Sequence, residues 1–114
     1  MKMVPVVAYI LFSLCSSTVY AASNAETIAS CSSIYTILSA KSLNANWPAN
    51  AKQALERARN RYDQFAIREF GSMEAFAQYN RTFSKNFYQW YKQQPDQGKI
   101  DNKYIDLCSA WSPK

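Results

Sequence analysis

Ser23-Asn24-Ala25-Glu26-Thr27-Ile28-Ala29-Ser30-Cys31-Ser32-Ser33-Ile34-Tyr35-Thr36-Ile37-Leu38 is the stretch whose reading decides the fold. Ser23 and Glu26 stand at capping-box spacing. The serine hydroxyl accepts from the Glu26 backbone N–H, and the glutamate reaches back to the serine N–H. At about 100° per residue, Ile28, Cys31, Ile34, Tyr35 and Leu38 fall on one side of the helix that follows. Ser32, Ser33 and Thr36 fall on the other side. The pattern predicts an amphipathic helix to about Leu43 with Cys31 on its buried face, followed by a loop at Asn44-Ala45-Asn46.

The same period continues downstream. Pro48 opens a second helix, because the first turn has no use for its missing N–H. Ala51, Leu55, Ala58, Tyr62 and Phe65 form its core stripe, and Gly71 is placed to end it as a left-handed cap. Ser72 caps a third helix with Glu74 in its first turn, where the helix dipole favours an acid. Its stripe is Met73, Phe76, Tyr79, Phe83, Phe87, Trp90 and Tyr91, and Pro95 stops it. Asp96-Gln97-Gly98-Lys99 reads as a turn. A short fourth helix, capped by Asp101 or Asn102, carries Ile100, Tyr104, Leu107, Cys108 and Trp111 on one side. Ser112-Pro113-Lys114 should fray. No stretch alternates with period two, so the expected fold is an all-α, small antiparallel four-helix bundle.

Cys31 and Cys108 both lie on core-facing stripes, and up-down-up-down order sets the fourth helix beside the first. A disulfide between them is therefore expected to staple the first and last helices. In the chain-entropy view, closing so long a loop stabilises a small domain by roughly 4.5 kcal/mol.

Residues 1–21 read as a cleaved secretory signal peptide. Met1-Lys2-Met3 carries one positive charge, Val4 to Leu14 is almost wholly apolar, and Val19 and Ala21 occupy the positions that must be small for cleavage after Ala21. Leu14 before Cys15 argues against lipid attachment there. Residues 22–114 are then a single helical domain with no transmembrane span, and its expected place is periplasmic or secreted. Loss of Lys2 leaves a net charge one below the +5 of the whole chain. That mild basicity gives some affinity for anionic surfaces. No motif points to nucleic acid.

The chain contains no histidine, so the commonest general base at neutral pH is missing, and so is any Ser–His or Cys–His nucleophile. A metal site would have to be assembled from carboxylates alone. Glu56 and Asp63 share a helix face with Lys52 and Arg59, which reads as a solvated mixed-charge surface. Asn80-Arg81-Thr82 matches the glycosylation acceptor pattern, but Asn80 projects near the aromatic stripe and no sugar is expected there. The expectation is a protein that is not an enzyme and has no catalytic residues, metal or cofactor.

Two sets of residues stand out for binding. Arg57, Arg61 and Arg68 fall within roughly 40° of one another on the second helix and form a segregated basic ridge, able to pair with carboxylates or phosphates. Trp47, Ile67 and Tyr88, with Ile105, lie off the core stripes and could form an apolar patch. The function these features suggest is stoichiometric contact with another protein. The alternatives are an envelope stress or holdase chaperone, and a binder of anionic envelope lipid or polysaccharide through the ridge. The signal, the size, and one cysteine in each of the first and last helices give the chain an architecture that resembles the periplasmic immunity proteins that neutralise type VI secretion amidase effectors. That resemblance implies an inhibitor directed against a secreted hydrolase.

Overall fold

Local chemistry sets the helix ends. A computed structural model describes residues 23–114 and contains four helices, α1 (Asn24–Asn44), α2 (Ala49–Phe70), α3 (Met73–Lys92) and α4 (Gln97–Ala110). The signal peptide and its cleavage point lie outside the described residues. Ser23 Oγ accepts from the Glu26 N–H at 3.1 Å, and Glu26 Oε1 accepts from the Ser23 N–H at 3.0 Å, which completes the capping box. Gly71 ends α2 at φ 89° and donates its N–H to the Ile67 carbonyl at 2.8 Å. A Cβ there would meet nothing within 4 Å, so the left-handed backbone, not crowding, is what calls for glycine. Ser72 Oγ caps α3 by accepting from the Ala75 N–H at 3.1 Å.

The start of α4 differs from the sequence expectation. Asp96-Gln97-Gly98-Lys99 is the first turn of the helix, not a separate turn, and Asp96 is its cap, with Oδ1 accepting from the Lys99 N–H at 3.0 Å. Satisfying an orphan N–H with a carboxylate at the positive end of the helix outweighs the cost of glycine in that turn. Asp101 is thereby left inside the helix, where it is buried.

The helices pack as the expected antiparallel bundle, with α1 in the middle and in contact with each of the other three. Its stripe of Ile28, Cys31, Ile34, Tyr35 and Leu38 is buried, and so are Thr27, Ala29, Ser33 and Ser42. Ser33 was expected on an open side. It is covered because α1 has neighbours on several sides, not one. Leu55, Tyr62, Phe65 and Ala66 come from α2 to meet this central helix. The Cys31–Cys108 disulfide joins α1 to α4, with Cα atoms 5.8 Å apart and a sequence separation of 77. Both cysteines are fully buried.

The third helix departs most from expectation. Of its seven-residue stripe only Phe76, Phe87 and Tyr91 are buried; Phe83 is half-buried, and Met73, Tyr79 and Trp90 are exposed. The stripe is wider than the strip of α3 that faces α1, α2 and α4, so its flanks reach the surface. The chain end also differs. Ser112 and Lys114 do not hang free: the Lys114 N–H donates to Asn24 Oδ1 at 3.3 Å, and Asn24 Nδ2 donates to the Lys114 carbonyl at 3.3 Å.

Candidate interaction surface

The arginine ridge does not survive as three free side chains. Arg57 and Arg68 are exposed, but Arg61 is half-buried and turned onto the end of α4. Its Nη1 donates to the Cys108 carbonyl at 3.2 Å, and its Nη2 donates to the Trp111 carbonyl at 2.6 Å. The last carbonyls of a helix lack intrahelical partners and carry partial negative charge, so a guanidinium is a natural cap for them. The same group lies 4.7 Å from the centroid of Phe65. Tyr62 adds a second donor, its OH reaching the Cys108 carbonyl at 2.7 Å, and burial pushes its phenol well above the ordinary range. Arg61 is thus spent on holding α4 to α2 beside the disulfide. Of the mixed-charge face of Lys52, Glu56, Arg59 and Asp63, Arg59 and Asp63 border a small pocket against α1 and α3, and none of the four charges closes an ion pair among the described residues.

The apolar set is also dispersed. Trp47 is half-buried against the core, and its N–H is held by the Ser42 carbonyl at 3.2 Å. Ile67 is exposed near the far end of α2, roughly 30 Å away along the helix axis at 1.5 Å per residue. Tyr88 is exposed on α3 with the Lys92 ammonium 4.8 Å from its ring centroid, and Ile105 is exposed on α4. Trp47 and Ile67 therefore cannot belong to one patch.

Tyr79 and Trp90, which the spacing assigns to the core stripe, are instead the exposed members of a ladder of aromatic rings. From Phe70 at the end of α2 and on along α3, the rings of Phe70, Tyr79, Phe83, Phe87 and Trp90 follow one another at centroid distances of 5.0, 6.1, 6.4 and 5.5 Å, and Trp90 meets Tyr104 of α4 at 6.5 Å. Tyr79 is 38% and Trp90 40% exposed. Between Phe83, Phe87, Trp90, Tyr104 and Ser30 lies an open groove of about 390 Å³. Burial raises the Tyr104 phenol above its ordinary range. Buried Phe87 backs exposed Trp90, and half-buried Phe70 and Phe83 flank exposed Tyr79.

A polar cluster clamps the other end of the bundle. Lys41 Nζ lies 2.5 Å from Asp101 Oδ2 and donates to the Tyr91 OH, while that OH donates to Asp101 Oδ1 at 2.8 Å. Burial works against the Lys41 charge, yet its hydrogen bonds to Asp101 and Tyr91 together outweigh it and raise the ammonium above its usual range. One residue from each of α1, α3 and α4 meets here, so the cluster holds three helices in register. The sequence signalled only that Lys41 sits in a last turn, where a cation suits the helix dipole.

On the side of α1 opposite the disulfide, the surface is concave. Ser33, Thr36 and Ala40 of α1 face Asn80, Ser84 and Lys85 of α3 across a cleft of about 540 Å³. A smaller pocket of about 120 Å³ continues it toward Arg59 and Asp63 of α2. Ser32 Oγ, Ser33 Oγ and Asn80 Oδ1 are buried here without a hydrogen-bond partner. Asn80, of the Asn80-Arg81-Thr82 acceptor pattern, is half-buried in the wall of this cleft.

Among the described residues no helix is long and apolar enough to cross a membrane, and no group of acidic or cysteine side chains is placed to hold a metal ion. The disulfide is compatible with an oxidising, exported environment. No protein-family model, curated protein or solved structure matches this chain.

Proposed function

We propose that the protein is an exported, non-enzymatic binding protein that acts by stoichiometric contact with a protein partner, in the manner of an immunity or inhibitor protein directed at a secreted hydrolase. The observation that carries this reading is the aromatic ladder of α3. Tyrosine and tryptophan supply large contact area with little rotamer entropy to lose, and they dominate binding energy where they are held rigidly. Tyr79 packs against Phe70 and Phe83, and Trp90 against Phe87 and Tyr104. Tyr79 and Trp90 stand in water about 16 Å apart along α3, joined by half-buried Phe83 and buried Phe87, and they offer a partner two aromatic anchors on one face.

Two alternatives separate cleanly. A holdase chaperone would use the same rings on many unfolded chains, without fixed stoichiometry. An anionic lipid or polysaccharide would need the arginine ridge, and with Arg61 engaged only Arg57 and Arg68 remain, about 16 Å apart along α2. Affinity capture from a periplasmic extract of the native host, followed by native mass measurement, decides among them. One protein at a defined ratio, lost in the Tyr79→Ala/Trp90→Ala variant, supports the proposal. A heterogeneous set of denatured chains, or phospholipid and lipopolysaccharide alone, would replace it.

A further inference from the structure

We propose that the cleft between α1 and α3, on the side of α1 away from the disulfide, receives an acidic segment of the protein partner. The inference rests on the reading that the partner is a protein, and it adds a second site on the other flank of α3. The cleft follows from how the bundle is covered. Cys31 faces α4; at about 100° per residue Ser33, Thr36 and Ala40 point to the opposite side of α1, which α4 does not reach. Small side chains on α1 make a shallow floor, and Asn80, Ser84 and Lys85 make a polar wall.

Two independent observations specify the occupant. The first is unsatisfied polarity. Ser33 is 7% exposed, and its Oγ and the Asn80 Oδ1 have no partner. Buried polar atoms in native proteins are nearly always paired, so these two await donors and acceptors from a group that enters the cleft. The second is charge. From Thr27 to Asn44 on α1 and from Ala75 to Lys92 on α3 there is no carboxylate. The cations on those walls are Lys41, Arg81, Lys85 and Lys92. Lys41 is committed to Asp101, whereas Lys85 lines the cleft. Arg59 and Asp63 cancel on the α2 side. Lys85 is the charged side chain in the lining of the cleft, and its ammonium favours a segment carrying Asp or Glu. Exposed Tyr88 and half-buried Ile37 offer apolar contact at the rim for a neighbouring side chain.

The test is selection of random dodecapeptides displayed on phage, with the disulfide-bonded protein as bait. Enriched peptides should carry Asp or Glu, and their binding should weaken at least tenfold in Lys85→Glu and in Ala40→Trp, which fills the cleft. Ala40 and Lys85 are both exposed, so thermal melts should show the fold intact. Trp90→Ala should leave peptide affinity unchanged. Failure to enrich any peptide, enrichment of neutral or basic ones, or binding that survives Ala40→Trp and Lys85→Glu would overturn the cleft assignment. Peptides lost only in Trp90→Ala would overturn it while leaving the protein-binding reading in place. That reading falls separately if the intact protein captures no protein partner.

Discussion

Helices α1 and α3 invert what their compositions suggest. Between Ser30 and Ser42, α1 carries five serines, a threonine and an alanine, yet it buries more of its residues than any other helix. α3 carries the heaviest aromatic load, yet Tyr79, Tyr88 and Trp90 all stand in water at 38 to 50% exposure. Side-chain size at the contact sets how closely helices approach, and a helix surrounded on several sides must present small groups on several sides. Tyr35 of α1 and Tyr62 of α2 are the rings that fit at that centre, and those of α3 wrap it from outside. Once three of them have done so, the others are available for contact with something else. Apolar content thus says how much surface a helix wants to bury. It does not say whether the surface is buried inside this chain or against a partner.

The contrast can be broken most severely at the staple. The Cys31→Ala/Cys108→Ala variant should lose up to about 4.5 kcal/mol, the loop-closure value for a separation of 77 residues, as read by urea melts. A loss under about 1 kcal/mol would mean that α1 is held at the centre by packing alone. Truncation along α3 should then separate its buried rings from its exposed ones. Phe87→Ala should cost about 3 kcal/mol, as a ring removed from a core does. Tyr79→Ala should cost less than about 1 kcal/mol. Equal losses would show that the whole face of α3 is packed. At the centre, Ala29 is fully buried on α1, so Ala29→Leu should cost about 1–3 kcal/mol through overpacking, whereas Ala40→Leu on the open side should be close to neutral.

The smallest effect is expected at high pH, through the groups that tie α1 to its neighbours. Lys41, Tyr62 and Tyr91 all hold their protons more tightly in the folded chain than they would unfolded. Their contribution to stability is therefore complete below the unfolded values near pH 10 and is lost as the pH rises through the folded ones. Urea melts should be flat from about pH 8 to 9.5 and fall beyond about pH 10. The fall should shrink in Tyr62→Phe. A flat profile through that region would deny these groups their role.

Much of the fold was legible because it depends on local rules. The capping box at Ser23, the glycine cap at Gly71, the Ser72 cap and the core stripes of α1 and α2 each follow from spacing alone. The cysteine pairing followed from two stripes that had to meet. The surface was less legible, because it depends on which neighbour arrives from a distant part of the chain. Arg61 looked like a member of a ridge until α4 placed its last carbonyls under the guanidinium. Ser33 looked exposed until α3 covered it. The aromatic ladder looked like core because a wheel shows a common side but not how wide the contact will be. Tyr88 was recognised as exposed because it lies off every stripe.

Hydroxyl-radical footprinting with peptide mass analysis tests the central contrast most directly, in the free protein and in complex with the captured partner. In the free chain Tyr79 and Trp90 should oxidise rapidly while Tyr35 and Tyr62 stay protected, and in the complex protection should extend to Tyr79 and Trp90. Protection of Tyr79 and Trp90 equal to that of Tyr62 in the free chain would contradict the exposed ladder, and unchanged oxidation of both in the complex would contradict its role in binding.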